Sequence, residues 1–206
     1  MPEEHGIIAV TTKAKGNVSY RSWDSEDYFN LLPAKSLNDG DHIQTGDDGF
    51  GALVYLDDKS MIKIKENTNF DVLGTKNQGQ ISKRIKINNG TVKASIQKGK
   101  LGRFIIETPT SVATVKGTEF WMVTSSDGDQ VFGLKGSVEL KNIISGEIIM
   151  IGADETGTSL QTGEINVAAT NPSKVPVEDE KQEINEFDIH FEDLDGNKKT
   201  MKIKYR

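Results

Sequence analysis

Apolar and polar residues alternate in short runs along most of this chain. Ile7 to Lys13 opens the series, and Asn17 to Trp23 follows with Val18 and Tyr20 on one face. Further runs lie at 70–73, 84–87, 91–96, 104–108, 118–124, 130–134, 138–142 and 147–150. Gly, Asp and Asn bound nearly all of them. A two-residue period predicts half-buried strands, and no segment sustains the 3.6-residue period of a capped helix. Gly51 to Leu56, then Asp57-Asp58-Lys59, then Ser60 to Ile64, predicts a hairpin. The pattern as a whole predicts an all-β fold, with many short strands in a β-roll, an irregular β-helix or a sandwich.

The stretch from Glu107 to Phe120 reads as a strand stopped by Pro109, a short apolar crossing, a turn at Gly117 and a new strand from Thr118. Proline cannot donate to a ladder, and glycine tolerates the angles of a tight reversal. A weak repeat of Gly, a small polar residue and Val recurs at Lys15–Val18, Asn89–Val92 and Lys135–Val138. Its unequal spacing argues against a strict solenoid.

The pattern changes near Ala169. Asn171-Pro-Ser-Lys-Val-Pro-Val177 predicts an extended linker, and an acidic stretch follows to about Asn185. Strict alternation then resumes. Phe187, Ile189 and Phe191 form one apolar set; Met201, Ile203 and Tyr205 form the other, across a turn at Leu194–Asn197. The expected organisation is a β domain at 7–168, a Pro-containing acidic linker at 169–185 and a β-hairpin at 186–206. A lone hairpin is marginal in water, so this one needs a partner surface or a second chain.

Composition narrows the chemistry. The 206 residues contain no cysteine, which excludes disulfides, thiolate metal sites and a cysteine nucleophile. The net charge of −6 argues against nucleic acid as a partner. No apolar stretch is long enough to span a bilayer. Met1-Pro-Glu-Glu-His5 lacks the basic start and apolar middle of a secretory signal, and a chain trimmed of its signal would look the same.

Candidate reactive centres are sparse. His5, His42 and His190 lie far apart, without metal-ligand spacing. Asp39, Asp41, Asp47, Asp48, Asp57 and Asp58 crowd three turns and could in principle offer oxygens to calcium, but Asp is also the preferred turn residue. No nucleophile elbow and no phosphate loop is present. The expectation is therefore no catalytic residue, no cofactor and no metal. Trp121, in the continuous apolar run Phe120–Val123, reads as core, whereas Trp23, among Ser22, Asp24 and Glu26, reads as surface. Charge is unevenly spread. Lys76 to Arg103 contains eight basic residues and no acid. Lys83, Arg84, Lys86, Lys93, Lys98, Lys100 and Arg103 are the candidate partner-binding face, against the simpler reading of solvated strand lysines.

An ordered series of motifs carries a resemblance. Ser36-Leu-Asn-Asp-Gly-Asp-His-Ile-Gln-Thr-Gly46 is followed by Ala52–Ser60, Ile85–Val92, Phe104–Pro109, Val115–Phe120 and Leu134–Val138. This series resembles the FecR domain family of bacterial cell envelopes. The resemblance implies an extracytoplasmic, non-enzymatic all-β domain in the periplasm or at the cell surface. Its expected partner is another envelope protein, or a second copy of itself. In the best-known members the domain passes a signal from an outer-membrane receptor to an anti-sigma segment; neither that segment nor a membrane helix is visible in this sequence. A carbohydrate- or small-ligand-binding module and a subunit assembling by strand addition are the alternatives.

Overall fold

The computed structural model describes residues 6–77, 80–98, 103–178, 185–192 and 198–205. The chain divides into two compact units, Met1–Val175 and Pro176–Arg206. The all-β expectation holds. Among the described residues the one helical turn is a 3-10 turn at Pro172–Lys174, within the stretch expected to be extended. It forms because Asn171 Oδ1 accepts from Ser173 N at 3.1 Å and Pro172 sits where no donor is needed.

The strands of the first unit form two layers. Layer A runs, edge to edge, through β4 (Ser36–Asn38), β1 (Ile7–Lys15), β6 (Phe50–Tyr55), β7 (Met61–Ile64), β9 (Gln80–Ser95), β12 (Glu119–Ser125), β13 (Gly128–Lys135), β16 (Glu155–Leu160) and β17 (Ile165–Ala169). Layer B runs through β3 (Phe29–Asn30), β2 (Val18–Arg21), β5 (Asp41–Thr45), β8 (Asn69–Asn77), β9, β10 (Phe104–Glu107), β11 (Ser111–Val115), β14 (Val138–Asn142) and β15 (Ile148–Ile151). All these pairings are antiparallel except β9 with β10. The inward residues of both layers meet in one core, with Ile8, Leu53, Ile62, Phe120 and Met122 from layer A against Ile43, Phe70, Val72, Ile106 and Leu140 from layer B.

β9 belongs to both layers. Its first half pairs with β8 and β10, and its second half with β7 and β12. The buried apolar positions are Ile81, Ile85 and Ile87 before the switch and Val92 and Ala94 after it, so the alternation slips by one residue. A bulge supplies the slip: Phe70 faces Ile87 while Asn69 faces Asn89, and Asn88 is left over. Gly90, at φ +116°, then carries the strand into layer A.

The sequence pattern located most strands but missed the short edge strands β3 and β4 and misjudged other places. The apolar crossing before Gly117 is itself a strand, β11, fully paired between β10 and β14. Residues 84–87 and 91–96, which read as separate runs, belong to one long strand with a bend. β16 and β17 were not expected, because Gly157, Thr158 and Ser159 break the apolar alternation there. In the second unit, β18 (Asn185–Glu192) pairs antiparallel with β19 (Lys198–Tyr205). The register opposes Phe187 to Ile203 and Ile189 to Met201, while Phe191 faces Lys199 and Tyr205 faces Asn185.

Buried polar side chains pin the strand ends. Thr108 Oγ1 donates to Asp129 Oδ2 at 2.6 Å and accepts from Thr110 N and Ser111 N. This fixes the turn that follows β10 against β13. Ser159 Oγ continues the network to Ser111 and to Asn142 Nδ2. Burial pushes the Asp129 carboxyl above its ordinary range, and the hydroxyl bond from Thr108 offsets only part of that. The folded state therefore holds this proton more tightly than the unfolded chain. Its contribution falls as pH rises from the ordinary carboxyl value to the raised one. Asp129→Asn, which keeps an acceptor for Thr108, should remove that slope and be at least as stable as the parent at neutral pH. Urea melts between about pH 3 and 7 measure both effects.

Candidate partner-binding surface

The basic run does not form one face. Because β9 switches layers, Arg84 and Lys86 lie on the outer side of layer B, and Lys93 lies on the outer side of layer A. Lys98 and Arg103 are exposed beyond the end of β9 and just before β10, and Lys100 lies outside the described residues. The hairpin residues Phe187, Ile189, Phe191, Met201, Ile203 and Tyr205 are described only in backbone register.

Lys83 is not a surface cation. It occupies an inward position of β9, only 7% exposed. Its Nζ lies 2.8 Å from Asp57 Oδ2 and 2.8 Å from Asp58 Oδ2, and 5.8 Å from the centre of the Tyr55 ring. Both carboxylates come from the β6–β7 turn and also accept backbone donors, Ile81 N on Asp57 and Ser60 N on Asp58. Burial raises the Asp58 carboxyl, but the Lys83 ammonium and the Ser60 bond outweigh it and hold the group below its ordinary value. Lys83 is thus used within the fold, which removes it from the candidate partner face. Lys93 is also paired internally, 2.7 Å from Glu119 Oε1 and 5.9 Å from the Trp121 ring.

The carboxylates considered for calcium act as caps. Asp39 Oδ1 accepts from Gly74 N at 2.8 Å, and Asp48 Oδ1 from Asn17 N at 2.9 Å. Asp41, only 1% exposed, accepts from Asn38 N and Trp23 N. Among the described residues no three His, Asp or Glu side chains converge as a metal site would require.

What remains on the outer side of layer B is a row of charged residues of mixed sign, Arg21, Asp71, Lys86 and Glu107, with the buried His42 among them. Cross-strand register aligns Arg21, His42, Asp71, Lys86 and Glu107 on successive strands β2, β5, β8, β9 and β10. His42 Nδ1 lies 2.6 Å from Asp71 Oδ1, and Arg84 reaches Glu107 at 3.5 Å. At the β2–β3 edge the row meets aromatic residues. The rings of Tyr28 and His42 meet edge to face at 5.8 Å, Arg21 lies 5.8 Å from the centre of Tyr28, and Lys35 lies 4.6 Å from Tyr20. Trp23, Tyr28, Phe29 and Leu32 are exposed there. Sequence reading placed Trp23 at the surface but missed the His42–Asp71 pair. The two residues are 29 positions apart, and only the β5–β8 register brings them together.

The first unit is thus a two-layer β fold whose layer B carries an outward charged face with aromatic residues at its edge. Residues 41–139 match the family model described as FecR protein, so the chain carries a FecR-family domain. None of the curated proteins matches the chain. Two crystal structures of a candidate anti-sigma factor from Parabacteroides distasonis share the fold, with TM-scores of 0.54 and 0.52 at 15% and 14% identity. Each match covers 65% of this chain and 61% of the other, so the chain spans about three fifths of the length of those relatives. Among the described residues no helix is long and apolar enough to cross a membrane.

Proposed function

We propose that this chain is a non-enzymatic signal-relay or scaffold protein of the bacterial envelope, located in the periplasm or at the cell surface, that works by binding another envelope protein. The observation that carries this reading is the outer face of layer B within a FecR-family domain. Its mixed row of charges gives register and selectivity, and the exposed Tyr28 and Phe29 at its edge give apolar anchors. Arg84 and Lys86 are the cations of the original basic run that this face presents. The anti-sigma role named for the structural relatives is one form of such relay.

The test is capture of envelope proteins from the native bacterium by the tagged chain. Charge reversal of Arg84 and Lys86 together should weaken capture of a specific partner by about tenfold or more, with unchanged melting. Capture insensitive to those changes and to Phe29→Ala would sink the reading. Exposure of Trp23, Tyr28 and Phe29 favours a second reading, an aromatic platform for a glycan. Glycan binding lost in Trp23→Ala, with no protein captured, would favour that reading instead.

A further inference from the structure

The two ends of the roll are built differently. At one end the edge strands are short: β3 has two residues and β4 has three. Short edges offer little to pair with. At the other end layer B stops at β15, Ile148-Ile-Met-Ile151, which pairs with β14 in regular register. Its other edge has no strand partner among the described residues. β15 has no charge, no proline and no bulge, which are the usual protections of an open edge. Its outward residues Ile148 and Met150 are 56% and 54% exposed, and Ile143 and Ile144 in the preceding turn are exposed as well. Layer A ends nearby in sequence with β17, which is also uncharged.

Charge selects the strand that would fit. Residues 139–169 carry five carboxylates, Glu139, Glu147, Asp154, Glu155 and Glu164, against Lys141 alone. β19 and the residue after it have the opposite character: Lys198, Lys199, Lys202, Lys204 and Arg206, with no acid. β19 also alternates Met201, Ile203 and Tyr205 with those cations, as a strand laid beside an apolar edge would. The β18–β19 sheet has only two strands. A third strand would complete it, because isolated hairpins are marginal. β18 is acidic through Glu186, Asp188 and Glu192, so only β19 complements the edge.

We propose that the open edge of β15 is a self-association site that takes strand β19 from the terminal hairpin of a second copy. Main-chain hydrogen bonds would extend layer B across the two chains. The basic residues of β19 would meet the acidic surroundings of β15. Reciprocal exchange closes a dimer, and one-way addition gives a chain of copies.

The absence of cysteine makes the test clean. Two single variants of the full chain, Met150→Cys and Ile203→Cys, are mixed under mild oxidation. The expected result is a mixed disulfide dimer formed at least tenfold faster than either homodimer, and slowed by added salt. Sedimentation of the unmodified chain should show association that Met150→Lys abolishes without lowering thermal stability. A chain that stays monomeric at all concentrations overturns the proposal. So does a disulfide that forms only within one molecule of the Met150→Cys/Ile203→Cys double variant. These readouts need no envelope partner, so their failure leaves the layer B relay reading standing.

Discussion

Lys83→Met should lower the unfolding free energy by about 3–5 kcal/mol, the scale of removing one partner from a buried ion pair. The change leaves Asp57 and Asp58 facing each other in the β6–β7 turn with their shared cation gone. It also removes the ammonium next to the Tyr55 ring. The methionine stem fills most of the lysine volume, so the loss reports charge rather than a cavity. Adding Asp57→Asn and Asp58→Asn to Lys83→Met should recover much of it, because a neutral trio no longer buries unpaired charge while Ile81 N and Ser60 N keep acceptors. Acid should act in the same direction. Asp58 is held below its ordinary carboxyl value, so its contribution is complete above that value and is lost as pH falls through the lowered one. That acid limb should vanish in Lys83→Met. Urea melts of the three proteins at neutral and acid pH check the set. A single variant as stable as the parent would show that the trio contributes nothing.

The position of Lys83 was legible in the chain, although its role was misread. In Ile81-Ser-Lys83-Arg-Ile85-Lys-Ile87 the lysine falls in the same phase as the three isoleucines, which is the inward phase of a strand. Counting cations along the run hid that phase. The pair of aspartates in the facing turn has the sequence of ordinary turn chemistry, and each does accept a backbone donor. The same carboxylates also neutralise the buried lysine. Asp129 has the same signature, in phase with the inward Val131. A charged residue in the apolar phase of a strand is thus a sequence-level signal for a buried polar group, shown by Lys83 and Asp129 and also by Asp41, in phase with Ile43 on β5. Pairing across large sequence separations was not legible. Nothing local tells β5 that β8 lies beside it, so the His42–Asp71 contact and the charge row of layer B appear only with the register.

The buried clusters and the outward face are linked through the construction of β9. The strand gives Lys83 to the core-side ion pair and, one residue on, Arg84 to the outer face. The Lys83 ion pair adds to the ladders with β8 and β10 and to the inward isoleucines in holding the side that β9 presents. The buried salt bridge and the candidate partner surface are therefore neighbours along one strand. Surface variants at Arg84 or Lys86 should leave stability nearly unchanged, whereas loss of Lys83 would disturb both stability and the face.

Gly90→Ala should destabilise the protein by about 3 kcal/mol or more, through two separable costs. The first is conformational: φ of +116° is close to inaccessible to any residue with a Cβ. The second is steric. A Cβ built at Gly90 would lie 2.4 Å from Thr68 Cα and 2.3 Å from Thr68 Oγ1. Thr68 cannot readily retreat, because its N–H donates to Thr45 Oγ1 and its hydroxyl oxygen accepts from Thr91 N. The strain would fall on the one strand shared by both layers, at the point where its alternation slips. Gly146→Ala provides the control, since it also has a positive φ of +77° but a Cβ there meets nothing within 4 Å. Its cost should be limited to backbone strain, roughly 1 kcal/mol. The difference between the two melts reads the contact with Thr68 together with the harsher φ at Gly90. Equal losses would mean that the layer switch at β9 has room to spare, and that the bulge at Asn88 rather than Gly90 carries the chain from one layer to the other.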